Sequence, residues 1–385
     1  MSTKKLNNNS RIRRLFVLGL PLVLAFSFVA CSDGDTGGTG GTGGSGGGSE
    51  LPQCNATAYL AFDSANHANQ DIRVAAITKM IGWLNEAKTD YTLAKDRFTK
   101  AKELYENADD TANLRAKVQG RTNDHLDGNP VRGDYIDATI MKWLNAGIAA
   151  TTNLEANIAK QMVDKTFTEF FFQSVYHEMV DGSRSHWDEA FGYYGTKSDN
   201  DETEHEAFAV TAFKRDATNG TNLNAEIFNN LIDGSCALGK ALSAAGKEEI
   251  DWKSDTAVSA AITDVDMAMQ KILAFSTGHE AFEMQEAFDN SFDITNSEHT
   301  DEVWIKMAEL VPFFVAIEPI LLAKGGDSES AAKEIRAFVD MVDFEKLDEV
   351  EWMTTFATDD ATTGKSAPQR IIQLLEAEYS IDIKG

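Results

Sequence analysis

Ile77, Ile81, Leu84, Ala87, Tyr91, Ala94, Phe98, Ala101, Tyr105 and Ala108 succeed one another at spacings of three and four residues. An α-helix turns once every 3.6 residues, so this spacing draws one apolar stripe along a helix. It fits no strand, whose side chains alternate with period two. A seam this long needs other helices to cover it. It predicts one helix over 71–108, on the order of 55 Å long at about 1.5 Å per residue, ended by Asp109-Asp110. The rest of the chain agrees. After the first fifty residues the prolines are Pro52, Pro130, Pro312, Pro319 and Pro368, and strand-like alternation is scarce. Further helices are expected over 134–179, with a break near Thr151-Thr152, and over 222–245, 254–288, 301–323, 328–342 and 367–379. Phe167, Phe170, Phe171, Val175 and Met179 mark a buried face, and Asp181-Gly182-Ser183 ends that helix. Pro312 and Pro319 fall inside one helical pattern, where a missing N–H and a ring clash predict a kink or break. The polar stretch 196–206 reads as a surface loop. The expected fold is all-α, built of long-helix bundles. A weak echo between His186-Trp187-Asp188-Glu189-Ala190-Phe191 and Gln285-Glu286-Ala287-Phe288 suggests two related sub-bundles, with 176–195 near their junction.

The first fifty residues are of another kind. Lys4, Lys5, Arg11, Arg13 and Arg14 precede an apolar run from Leu15 to Ala30, and Cys31 follows it. A basic start, a short apolar core and small residues before a cleavage point describe an export signal, not a membrane span. Phe28-Val29-Ala30-Cys31 resembles the lipobox of bacterial lipoproteins, which implies that Cys31 becomes the lipidated first residue. Ser32 follows it where Asp would direct inner-membrane retention, so the resemblance leans toward the outer membrane, on its periplasmic or its outer face. Residues 1–30 are thus read as signal peptide, 31–50 as a Gly/Ser/Thr-rich tether and 51–385 as the helical domain. The tether reaches about 25 Å as a flexible coil. After Ala30 no apolar stretch is long enough to span a bilayer, so attachment to the membrane would run through the lipid at Cys31.

Signal removal takes five of the 35 Lys and Arg and none of the 61 Asp and Glu, moving the net charge from −26 to −31. So acidic a body repels nucleic acid, which binds by releasing counterions to clustered cations. It also argues against a polybasic membrane-surface patch. It suits an extracytoplasmic protein or one that handles cations; solubility alone accounts for it too. Cys54 and Cys236 remain in the body. In an oxidising compartment they could pair, or they could be separate buried thiols, since sequence gives no distance between them.

Chemistry concentrates between Tyr176 and Gly195, which hold two His, four acids, Arg184 and several large aromatics. On a helix His186 and Glu189 share a face three residues apart. Imidazole with carboxylate suits iron, zinc or manganese. His177 and Asp181 have a related spacing, and Trp187, Asp188, Tyr193, His177 and Glu178 are candidate pocket residues. The alternative is that His186 and Glu189 bond locally while Trp187, Phe191 and Tyr194 fill core. His279 and Glu283 form a second one-face pair, and two His with two Glu would make a carboxylate-rich divalent-metal site if their helices converged. The body carries no HExxH, GxSxG or P-loop.

Trp187, Glu189, Ala190, Phe191, Gly192, Tyr193 and Gly195 resemble the W-x-E-A-F-G-Y-x-G signature of an uncharacterised family of bacterial lipoproteins. More remotely the segment is similar to imelysin-like proteins, marked by G-x-H-x-x-E, an aromatic stretch and Gly. His186, Glu189 and Gly195 match that mark, and Arg184 stands where its leading Gly belongs. The resemblance implies paired helical bundles at the outer membrane or periplasm, associated with iron uptake. Together these features predict a lipid-anchored extracytoplasmic binding protein, in iron or other metal acquisition, with iron or zinc as the divalent ion. Two alternatives stand beside it. One is a metallopeptidase-like hydrolase at the cell surface, with Glu189 as ligand and Asp188 or Glu178 as base. The other is a structural or adhesive module with an envelope protein partner.

Overall fold

The long apolar seam folds as two helices instead of one. In the computed structural model, α1 (Ser64–Ala87) and α2 (Ala94–Glu106) pack against each other. The model describes residues 62, 64–107, 112–195, 207–290 and 292–383. The signal 1–30, Cys31, the tether, Cys54 and the loop 196–206 lie outside them. What breaks the seam is polar chemistry at Lys88-Thr89-Asp90. The Thr89 hydroxyl donates to the Glu86 carbonyl at 3.2 Å, and the Asp90 carboxylate accepts the Thr92 N–H at 3.0 Å. Those side chains satisfy helix-end groups themselves and let the chain leave the helix. A 3₁₀ turn at Tyr91–Leu93 follows, and Tyr91 faces solvent. Arg97 of α2 then pairs with Glu86 of α1 at 2.7 Å. The 55 Å rod expected over 71–108 is therefore corrected to a packed pair.

The remaining helices follow the sequence more closely. They are α3 (Leu114–Gln119), α4 (Gly133–Ala149), α5 (Asn153–Asp181), α6 (Arg184–Tyr194), α7 (Ala207–Asn219), α8 (Leu223–Ala245), α9 (Thr256–Asp289), α10 (Ser297–Lys324), α11 (Gly326–Val339), α12 (Glu351–Ala357) and α13 (Ala367–Tyr379). The break expected near Thr151-Thr152 separates α4 from α5. Thr152 caps α5 in a reciprocal capping box with Glu155, which satisfies two otherwise orphaned N–H groups. At the other end of α5, Gly182 adopts φ 85°. A Cβ there would sit 2.0 Å from the Ile250 carbonyl oxygen, so conformation and space both require glycine. Ser183 then accepts the His186 N–H and starts α6.

Helix α10 runs through Pro312 and Pro319 without a break, where a kink or break was expected. Pro319 cannot donate to the carbonyl four residues earlier, that of Val315. Arg132 donates to that carbonyl instead, Nη2 to O at 3.1 Å. The same guanidinium bonds Glu169 of α5 through Nε at 2.6 Å and lies 4.1 Å from the Tyr135 ring centroid.

Thirteen α-helices and no strand are present among the described residues, apart from two isolated bridges. The all-α expectation holds. Helices α1, α2, α4, α5 and α6 are linked by mutual contacts, and so are α8, α9, α10, α11 and α13. Helix α5 joins the sets by packing on α10 and α9. Phe170, Phe171 and Phe172 point about 100° apart on α5, yet all three are buried. The middle of the helix, 166–175, is therefore enclosed on every side, and each such phenyl contributes about 1.5–3 kcal/mol by leaving water. One apolar cluster extends from Phe62 to Ile383 through both sets. No helix among the described residues is long and apolar enough to cross a membrane.

Candidate functional site

The signature segment forms α6, and α6 is stitched to α1. Asn66, Gln70 and Arg73 lie four and three residues apart, so they face one way from α1. Asn66 Nδ2 donates to Asp188 Oδ2 at 2.8 Å, Gln70 Nε2 donates to Glu189 Oε2, and Arg73 Nη1 donates to the Tyr193 hydroxyl at 3.1 Å. Between them α1 touches Gly192, where a Cβ would lie 2.8 Å from the Cβ atoms of both Gln70 and His67. Phe191 stacks on Phe62 with centroids 3.8 Å apart. On the far side, the Trp187 indole N–H donates to the Leu231 carbonyl at 2.9 Å. That ring fits against Gly234 of α8, where a Cβ would stand 2.2 Å from Cζ2.

Trp187, Asp188 and Tyr193 are each 0 % exposed, so none of them lines an open cleft. All three pack in the interior, with Trp187 against Gly234 and Asp188 and Tyr193 bonded to α1. Cys236, on α8, is disulfide-bonded; Cys31 and Cys54 lie outside the described residues.

His186 turns away from Glu189, toward the end of α5. Its Nδ1 lies 3.2 Å from Glu178 Oε2 and 3.4 Å from Asp181 Oδ2. Glu178 also accepts from Arg121 Nη2 at 2.7 Å, with both side chains 4 % exposed. Burial pushes the Glu178 carboxyl upward, but the His186 hydrogen bond and the Arg121 charge override it and hold the group at about 2. The same hydrogen bond raises His186 against the opposing effect of burial. Glu189 is raised, first by burial and then by the Glu178 charge. His177 bonds Asp124 at 2.5 Å through Nδ1 and stays partly exposed. Near it His125 stacks between Tyr176 and Phe172, centroids 3.8 and 4.9 Å away, and bonds Asp266 at 2.8 Å.

His279 and Glu283 share a face of α9 as their spacing predicts, with Nε2 to Oε1 at 3.3 Å. Lys306 of α10 pairs with Glu283 and lies 3.5 Å from Glu280. The His279 bond comes first in holding Glu283 down at about 2. Glu280 goes the other way. It is buried and faces Glu309, which together push it up to about 7. Among the described residues no three or more His, Cys, Asp or Glu side chains stand together in a way that could hold a metal ion. The two His and two Glu do not form one centre; Glu189 is engaged by Gln70 and Glu283 by Lys306.

A cleft escaped the sequence reading. Helices α1 and α7 both pack on α5 and flank a cavity of about 340 Å³. Thr78, Gly82 and Asn85, on one face of α1, form one wall, and Lys214 and Arg215 of α7 the other. Asp164, Lys165, Phe167 and Phe171 of α5 and Phe313 of α10 close it below.

No family model, curated protein or solved structure matches this chain.

Proposed function

We propose that this chain is an exported, lipid-anchored protein of the bacterial outer membrane that holds a small ligand in the cleft between α1, α5 and α7. The cleft carries the reading. Its volume of about 340 Å³ falls in the range of small-molecule sites, and it joins an aromatic floor of Phe167, Phe171 and Phe313 to polar and charged walls. The N-terminal sequence supports the anchor with a basic start, an apolar core and Cys31 ahead of a glycine-rich stretch. The resemblance of Trp187–Gly195 to a lipoprotein signature supports the same class. Metabolic labelling with radioactive palmitate tests the anchor. Label is expected in the wild-type membrane fraction and lost in Cys31→Ala; equal labelling of both would overturn it.

A second reading, divalent-metal capture, has one observation in its favour. His186 is partly exposed, with carboxylates of Glu178 and Asp181 within 3.4 Å of one ring nitrogen. A metal there would have to draw Glu178 from Arg121. Calorimetric titration with zinc or ferrous iron tests it. Equal heats for wild type and the His186→Ala/Asp181→Asn double variant would dismiss it.

A further inference from the structure

We infer that Cys54 and Cys236 are joined by a disulfide that a dithiol oxidase of the cell envelope installs, and that Cys31 takes no part in it. The inference rests on the lipid-anchor reading, because that reading decides between two candidate partners. Cys236, on α8, is disulfide-bonded. The chain has three cysteines, Cys31, Cys54 and Cys236, so the other half of the bond is Cys31 or Cys54. A Cys31 that carries lipid on its sulfur has no thiol left to oxidise. Lipidation and this disulfide therefore exclude each other at Cys31, and Cys54 remains.

The fold brings the right stretch of chain to the right helix. Phe62 stacks on Phe191 with centroids 3.8 Å apart, and Phe191 lies 5.7 Å from Phe228 of α8. The chain thus enters α1 beside α8. Cys236 sits about two turns beyond Phe228, about 12 Å along the same helix. Residues 54–62, fully extended, span up to about 26 Å, so Cys54 has the reach. Cys236 is half-buried and follows Gly234, against which the Trp187 ring of α6 packs. The bond ties the entry of α1 to the stretch of α8 that already holds α6. It closes a loop containing α1 to α7, and a loop that long is one whose closure restricts the unfolded chain strongly.

The chemistry needs an oxidant, which places the chain in contact with a partner. One thiolate of the pair attacks a sulfur of the oxidase's disulfide, forming a mixed disulfide and releasing the oxidase's other sulfur as thiolate. The second thiolate of the pair then attacks the chain's own sulfur in that mixed disulfide. The Cys54–Cys236 bond forms, and the oxidase leaves as a dithiol carrying the two electrons and two protons. Enzymes of this class work outside the reducing cytosol, which agrees with the export signal.

Peptide mapping tests the assignment. The full-length chain is isolated from its host's membranes, free thiols are blocked with iodoacetamide, and the digest is analysed by mass spectrometry without reduction. An acylated Cys31 peptide is expected, together with a Cys54 peptide linked to a Cys236 peptide. Blocked thiols at Cys54 and Cys236 beside an acylated Cys31 would overturn the disulfide and leave the anchor standing. A Cys54–Cys236 link beside an unacylated Cys31 would keep the disulfide and overturn the anchor. A Cys31–Cys236 link would overturn both. Thermal midpoints give a second reading. Cys54→Ser, Cys236→Ser and the double variant should all fall by the same amount, about 5 °C or more; additive losses would count against the bond. In a host without its envelope dithiol oxidase, Cys54 and Cys236 should be recovered alkylated, and an intact link there would overturn the oxidase's part.

Discussion

Arg132 donates to the carbonyl of Val315, Nη2 to O at 3.1 Å, and so serves the one backbone acceptor that Pro319 leaves without its helical donor. A side chain 183 residues away in sequence thus stands in for a bond that belongs four residues away. Because Arg132 also holds Glu169, Arg132→Met alone will cost more than this single bond. A double-mutant cycle with Pro319→Ala isolates it, since alanine at that position restores the local N–H. The penalty of Arg132→Met should shrink by about 0.5–1.5 kcal/mol in the Pro319→Ala background, measured by urea denaturation. Additive penalties would show that the Val315 contact carries no stability.

Two glycines should respond in opposite directions to the same change. Gly192→Ala forces a methyl to within 2.8 Å of Gln70 and His67 Cβ atoms, and overpacking at the α1–α6 seam should cost about 1–3 kcal/mol. Gly82→Ala meets open space inside α1 and should stabilise by up to about 1 kcal/mol. Denaturation midpoints of the two variants check this. Loss of stability in both would mean that α1 is not the helix drawn here.

The buried pair Arg121–Glu178 predicts a third result. Glu178→Ala leaves a guanidinium that is 4 % exposed without its partner, at a cost of about 3–5 kcal/mol. His186→Ala removes a partly exposed member of the same group and should cost about 1 kcal/mol or less. Comparable penalties would place His186 in the core of the network instead of at its rim.

Stability should fall on both sides of an acid optimum, for two different carboxyls. Glu178 is held at about 2, below its ordinary 4.5. Its contribution is therefore present above about 4.5 and lost as pH falls toward 2. Glu280 is held at about 7, above its ordinary 4.5. The folded chain keeps that proton longer than the unfolded chain, so stability declines as pH rises from about 4.5 to 7. Glu280→Gln should flatten the decline between pH 5 and 7 and leave the acid limb alone. Urea midpoints from pH 3 to 8 measure both limbs, and an unchanged upper limb in Glu280→Gln would contradict the assignment.

Most of the fold was legible because helix ends write themselves locally. Thr152 with Glu155, Gly182, and Ser366 with Gln369 are capping signals within a few residues of the ends they set. The seam from Ile77 to Tyr105 misled because periodicity is blind to a turn that keeps phase, and only Thr89 and Asp90 marked it. At the prolines of α10 no break occurs, and the donor that serves the Val315 carbonyl there, Arg132, is far away in sequence. The candidate site was less legible for the same reason. Polar and aromatic residues clustered at 176–195 look alike whether they line a pocket or zip two helices together. What decides is Asn66, Gln70 and Arg73, about 120 positions earlier. The cleft needed Gly82, Lys165, Arg215 and Phe313 brought together from four helices, and no spacing in the chain foretells that.

Native mass spectrometry of the full-length chain, isolated from its host with no ligand added, tests the central claim most directly. A ligand-binding cleft between α1, α5 and α7 predicts a bound small molecule in wild type and none in Gly82→Phe at equal fold stability. Identical spectra for the two chains, each at the mass of protein alone or each carrying the same adduct, would contradict it.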